Sequence, residues 1–218
     1  MSTYVLSDLH GCMEQYHNML EKIALGEDDE LYIVGDVIDR GPYGAELLCE
    51  IMDAPNVHLI MGNHELMMLS GILGNDYSSW DLNHNEPTLA GLHKLSRDKL
   101  LDVLRYVVNR PYSVEVSVGG RLFELVHACP PSMCDADKYS MVWKRVDVED
   151  ILLEDRTVIF GHTPTFFITG NVMRPAIIEG GHAMNIDCGC VYGGRLACVR
   201  LDDMEIFYVK GADVDLTD

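Results

Sequence analysis

Leu31-Tyr32-Ile33-Val34-Gly35-Asp36-Val37-Ile38-Asp39-Arg40-Gly41-Pro42 carries the architecture of the chain in one phrase. A short β-rich apolar run breaks at a glycine into a polar cluster, and a helical pattern over 43–52 follows. The phrase occurs twice more. Tyr4-Val5-Leu6 runs into Ser7-Asp8-Leu9-His10-Gly11, ahead of Met13, Tyr16, Leu20 and Ile23 at helical spacing. Val57-His58-Leu59-Ile60-Met61 runs into Gly62-Asn63-His64-Glu65, with helix expected over 66–72. Alternating strands and helices of this length predict βαβ units and a sheet that is parallel here. In such sheets ligands gather at the carboxyl ends of the strands, where all three polar clusters stand.

Outward from this core, the pattern changes. Residues 74–95 are rich in Gly, Asn, Asp and Pro with little periodicity, and read as a loop or cap insertion. A helix is expected over 96–108, with Leu100, Leu101, Leu104 and Val108 on one face. Tyr112–Val118 and Leu122–Val126 predict a hairpin through Gly119-Gly120. Val158-Ile159-Phe160 leads into Gly161-His162-Thr163-Pro164, and later strands are expected near 165–169, 175–178, 183–187, 195–201 and 205–209. No linker or internal repeat interrupts the chain. The expected fold is a single α/β domain over 1–218: a mixed β-sheet sandwich flanked by helices, with its site at the strand C-termini.

Composition bounds the function. With 48% hydrophobic residues and mean hydropathy +0.03, the 218 residues can bury an ordinary core. A formal charge of −19 argues against nucleic acid or an anionic membrane surface as partner, since both are bound through Lys and Arg. No apolar run reaches the ~20 residues that span a bilayer, and the start lacks a signal core, so a cytoplasmic location is expected. Seven cysteines without a Cys-x-x-Cys pair read as thiols in a reducing compartment. Oligomeric state is not legible.

The chemistry lies in a set of donors. Asp8, His10, Asp36, Asn63, His127 and His162 each follow an apolar strand-like run. Carboxylate, imidazole and amide oxygen without thiolate suit Mn²⁺, Fe²⁺ or Zn²⁺. The donors are too many for one ion with open positions and suit two ions sharing a carboxylate. Two ions about 3.5–4 Å apart clamp the attacking and leaving oxygens of an in-line displacement. A Walker-type Gly-x-x-x-x-Gly-Lys is absent.

Asp8-Leu9-His10-Gly11, Gly35-Asp36-Val37-Ile38-Asp39-Arg40-Gly41 and Gly62-Asn63-His64-Glu65 resemble the three signature blocks of the calcineurin-like metallophosphoesterases. Val126-His127-Ala128, Phe160-Gly161-His162-Thr163-Pro164 and Asn185-Ile186-Asp187-Cys188-Gly189 resemble the later blocks, so the likeness runs over roughly 3–200. It is closest to the phosphoprotein phosphatase branch, in its bacteriophage lambda type and small bacterial serine/threonine forms. The resemblance implies that Asp8 and His10 hold one ion, Asp36 bridges, and Asn63, His127 and His162 hold the second, with Mn²⁺ as the expected metal pair and Fe or Zn as substitutes. It implies that Arg40 and Arg145, with Asn63, bind phosphate. It further implies that His64 protonates the leaving group while Asp39 orients it. The implied activity is that of a serine/threonine protein phosphatase acting on phosphorylated proteins or peptides by direct attack of metal-bound hydroxide. The alternative is a symmetrical bis(5'-nucleosyl)-tetraphosphatase, and a minor one a non-catalytic binding protein on the same fold.

Three departures stand out. Pro164 occupies the place where diesterase relatives carry a second metal histidine. His84-Asn85-Glu86 replaces an Asn-Gly-Gly, and Cys188 a threonine. His17, His58, His84, His93 and His182 lie outside the strand-end clusters and read as surface or loop residues. Asp187 reads as a turn residue, and Glu65 as a charge stabilising the N-terminus of the third helix.

Overall fold

The computed structural model describes residues 1–172, 174–180 and 182–212. The repeated phrase builds β1 (Thr3–Leu6), α1 (Met13–Ile23), β2 (Glu30–Ile33), α2 (Gly44–Asp53), β3 (Val57–Leu59) and α3 (Asn63–Gly74). The chain continues through α4 (Glu86–Leu92) and α5 (Arg97–Val108) to the hairpin β4 (Ser113–Val118) and β5 (Arg121–Val126). Then follow α6 (Lys138–Trp143), β6 (Thr157–Phe160), α7 (Thr165–Thr169), β7 (Ile178–Gly180), β8 (Ala183–Asn185), β9 (Arg195–Arg200) and β10 (Glu205–Lys210).

Two five-stranded sheets result, ordered β10-β9-β1-β2-β3 and β4-β5-β6-β8-β7. β1-β2-β3 and β5-β6-β8 pair in parallel, while β1-β9, β9-β10, β4-β5 and β7-β8 pair antiparallel, so both sheets are mixed. Strand alternation sorts the core. Val5, Val34, Phe123, Leu125, Ile159 and Val199 meet between the sheets. Tyr4, Leu6, Leu31 and Ile33 face the helical layer with Tyr16, Met19, Leu47 and Leu48, while Val126, Val158 and Phe160 face Met141 and Ile151. Strands buried on both faces read as continuous apolar runs, which is why they were legible. The expected sandwich between helices is the observed architecture.

Four local expectations are corrected. The 74–95 stretch is not structureless: a 3-10 turn covers Asp81–Asn83 and α4 follows, with Trp80 and Thr88 fully buried. Residues 165–169 form α7 and not a strand. Pro164 precedes it, Gly170 at φ 69° closes it in the left-handed region, and strand propensity yields to that context. The strand expected near 175–178 lies instead at β7, whereas the one near 183–187 is present as β8. In α5 the buried face is Val103, Leu104 and Val107, whereas Leu101 and Val108 are exposed, so the helix is rotated from its expected phase.

Candidate active site

The first and second polar clusters and the His162 cluster turn abruptly off their strands. Asp8, His10, Asp36, Asp39, Arg40 and His162 all take positive φ, between 44° and 71°, where side chains other than glycine are strained. Such backbone persists only where surrounding bonds dictate it, and here they do. His10 N–H donates to Asp36 O (2.9 Å), Gly11 N–H to Val37 O (2.7 Å) and Asp8 N–H to Gly35 O (3.2 Å). The Glu65 carboxylate accepts from Asp36 N (2.9 Å), Val37 N (2.8 Å) and Gly62 N (3.1 Å). Glu65 thus ties the second cluster to the third, besides serving the helix terminus as expected. Glycine is required where backbone meets ligand: a Cβ on Gly161 would lie 2.2 Å from Asp8 Oδ2, and one on Gly62 2.3 Å from Asp36 Oδ1.

The donors converge on Asp36. Its Oδ2 lies 3.4 Å from His127 Nε2, 3.7 Å from His10 Nε2 and 3.9 Å from His64 Nε2. Asn63 Oδ1 stands 2.9 Å from His127 Nε2 and 3.0 Å from His162 Nδ1. His10 Nδ1 donates to Ile38 O (2.9 Å) and His127 Nδ1 to Val34 O (2.7 Å), which aims the opposite nitrogens at the centre. Asp8 Oδ2 accepts from His162 N (3.2 Å), pinning β1 to β6 across the sheets. Donor atoms able to share an ion form two groups, His10-Asp36-His64 and Asp36-His127-His162, with Asp36 common to both.

The electrostatics call for cations. Burial, then the neighbouring Asp36, raises Asp8 to about 7 against the opposing pull of His127. Asp187 is buried as well, and burial followed by Asp8 pushes it far above the carboxylate range. It was read as a turn residue, yet it sits within reach of Asp8, Asp36 and Arg40, a third carboxylate at the site. Burial alone would lower His127; Asp36 and Asp8 outweigh it and lift it to about 10. His162 falls to about 3 through burial and the charge of His127. Three buried carboxylates at one place, with oxygen and imidazole donors around them, fit a pair of divalent ions.

Beside this centre lies a second unit. His64 Nδ1–H donates to Asp39 Oδ2 (2.6 Å), and both side chains are fully buried. His64 Nε2 has no hydrogen-bond partner and looks toward Asp36. Sequence reasoning missed what holds Asp39. Trp80 Nε1–H donates to the same Oδ2 (2.7 Å), and Asp39 N–H donates to Thr88 Oγ1 (2.8 Å). Both residues come from the 74–95 segment, whose lack of period hid them. Arg40 touches His10 Nε2 through Nη1 and lies 5.4 Å from the Tyr192 ring. Arg145 is exposed and acts on His162 by charge. The structure therefore gathers Asp8, His10, Asp36, Asp39, Arg40, Asn63, His64, His127 and His162 at one place, with Arg145 at its margin. His17 and His58 pair instead with Glu50 and Glu30 away from it.

A family profile described as calcineurin-like phosphoesterase matches residues 1–208. The chain is 36% identical to a protein of Buchnera aphidicola subsp. Baizongia pistaciae named "Bis(5'-nucleosyl)-tetraphosphatase, symmetrical" over 278 aligned positions, covering 95% of this chain and 97% of that one. Among solved structures, one titled as a putative diadenosine tetraphosphatase superposes with TM-score 0.72 at 18% identity, covering 97% and 94% of the two chains. A Saccharomyces cerevisiae protein serine/threonine phosphatase with similarity to human phosphatase PP5 superposes at 0.66 and 16% identity, covering 100% of this chain and 82% of that one. At these identities the superpositions speak for the fold alone.

Proposed function

Because the chain belongs to the calcineurin-like phosphoesterase family, we propose that it is a dinuclear metal hydrolase that cleaves dinucleoside tetraphosphates symmetrically into two nucleoside diphosphates. One observation supports this substrate over a phosphoprotein: a relative aligned over nearly its whole length, at 36% identity, bears that name. In this reading Asp8, His10 and Asp36 hold one ion, and Asp36, Asn63, His127 and His162 the other, with Mn²⁺ the proposed metal and Fe or Zn able to replace it. When bound, the ions supply Lewis-acid polarisation of phosphoryl oxygens and activation of water.

The chain's own groups do the rest. Arg40 presents its guanidinium fork to the phosphate oxygens, and Arg145 approaches from the His162 side. His64, whose Nδ1–H donates to Asp39, presents its unpartnered Nε2 to the departing oxygen as the general acid. Asp39, held by Trp80 and Thr88, keeps that ring in one orientation.

A serine/threonine phosphatase is the second reading, on the resemblance of Asp8–Gly11, Gly35–Gly41 and Gly62–Glu65 to the phosphoprotein phosphatase blocks. The alignment with the Buchnera protein runs over 278 positions against 218 residues here, so parts of that relative have no counterpart. Phosphorylated peptides would then be the substrates. Initial rates on diadenosine tetraphosphate, a phosphoserine peptide and a phosphotyrosine peptide decide the matter, using metal-stripped protein given Mn²⁺, Mg²⁺ or Zn²⁺. Two equivalents of ADP per dinucleotide, released faster than phosphate from either peptide, are expected. Phosphate release from the phosphoserine peptide without dinucleotide cleavage would overturn the proposal.

A further inference from the structure

Two groups of aromatic side chains border the metal-donor cluster, one joined through Arg40 to His10 of the first donor group and the other set against His162 of the second, and the metal chemistry uses neither. On the Arg40 side, Phe166, Phe167 and Tyr192 form one group. Ring centroids are 4.3 Å apart for Phe166–Phe167, 5.9 Å for Phe166–Tyr192 and 6.2 Å for Phe167–Tyr192. Phe166 lies on the backbone of Gly189, where a Cβ would come within 2.3 Å of its ring. Arg40 joins this group to the donors, being 5.4 Å from the Tyr192 ring and in contact with His10. On the His162 side, Tyr139 and Trp143 stack at 5.8 Å and 27°, and Trp143 meets the His162 ring edge-on at 6.2 Å. A cavity of about 230 Å³ opens here, bounded by Met67, Ser79, Trp80, Tyr139 and Trp143.

Of these rings only Trp143 packs against an apolar core, and the others are not accounted for by core packing. Among the described residues, Phe166, Phe167, Tyr192 and Tyr139 join none of the three apolar cores, and Phe167 and Tyr139 are 67% and 63% exposed. An exposed flat ring beside a phosphate site suits a ligand with its own π face. A dinucleoside tetraphosphate has one base at each end of its phosphate chain. With the phosphates across both donor groups, one base end comes to the His10 and Arg40 group and the other to His162.

We propose that the Phe166-Phe167-Tyr192 group and the Tyr139-Trp143 group are the seats of the two nucleobases, one for each half of the substrate. The assignment rests on the dinucleotide reading above. Stacking tolerates any base, so the seats favour dinucleotides over base-free phosphates more than one base over another.

Phe167→Ala and Tyr139→Ala test it in the metal-loaded enzyme, each removing an exposed ring on which the fold does not depend. KM for diadenosine tetraphosphate is expected to rise about tenfold in each variant, the size of one lost stack, with kcat nearly unchanged. The kcat/KM for inorganic tripolyphosphate, which has no base, should stay at the parent value, and Tyr139→Phe should restore KM. An unmoved dinucleotide KM in either variant overturns the two seats, as does an equal loss on tripolyphosphate. No dinucleotide turnover by the parent enzyme would overturn the proposed function itself, and the two failures are thereby distinguished.

Discussion

His64 is bound on one nitrogen and unpartnered on the other, and that asymmetry sets what its loss should do. A serine alkoxide leaves poorly without a proton, whereas a nucleoside diphosphate leaves well unaided. His64→Asn is therefore expected to lower kcat on a phosphoserine peptide by about 10²–10⁴ and on diadenosine tetraphosphate by much less, measured as paired steady-state rates. Trp80 acts one residue further out. Trp80→Phe keeps most of the buried ring but removes the N–H that Asp39 Oδ2 accepts. A hydrogen bond to a charged group contributes about 1.5–3 kcal/mol, so kcat should fall roughly tenfold or more while KM holds. The donors Asp8, His10, Asp36, Asn63, His127 and His162 were legible because each directly follows a strand. Trp80 was not, since 41 residues separate it from the carboxylate it serves. Asp187 was not, because a lone aspartate before Cys188-Gly189 has the same sequence whether it makes a turn or enters a buried pocket.

Elements were legible in proportion to their period. The first three strand–cluster–helix phrases were read within a few residues, and the hairpin followed from Gly119-Gly120. α7 was misread because Thr165-Phe166-Phe167-Ile168-Thr169 has strand composition, and only the flanking Pro164 and the left-handed Gly170 make it helical. α4 was missed for a different reason: its seven residues contain a proline and a glycine and bury only Thr88, Gly91 and Leu92. The junction between α1 and β2 carries a pH test. Asp29 accepts from Ser2 N (2.6 Å) and Gly26 N (3.0 Å), and these bonds, Ser2 first, hold its carboxyl below the ordinary 3.8. A depressed folded-state value means the ionised group stabilises the fold above about pH 4, and that this contribution is lost as pH falls through the folded value. Asp29→Asn should therefore lower the melting temperature near neutral pH, and the gap from the parent should narrow below pH 3.8, as followed by circular dichroism.

At the scale of the molecule, the donors straddle two sheets. Asp8, Asp36 and Asn63 follow β1, β2 and β3, while His127 and His162 follow β5 and β6 of the other sheet. Divalent ions held there would offset the crowding of Asp8, Asp36 and Asp187. Chelation should lower the melting temperature, and Mn²⁺ returned at a hundred times its dissociation constant should raise it by about 5–10 °C. Calorimetry with and without chelator checks this. The wide span of the donor set has a kinetic corollary. Residues from 8 to 162 must already be in register before the pocket exists, and loop closure over such distances comes late in folding. An ion that recognises only the finished pocket cannot hasten the search for it. In a stopped-flow chevron, Mn²⁺ should leave the refolding arm in place and depress the unfolding arm, so that the metal acts as a latch on a closed door.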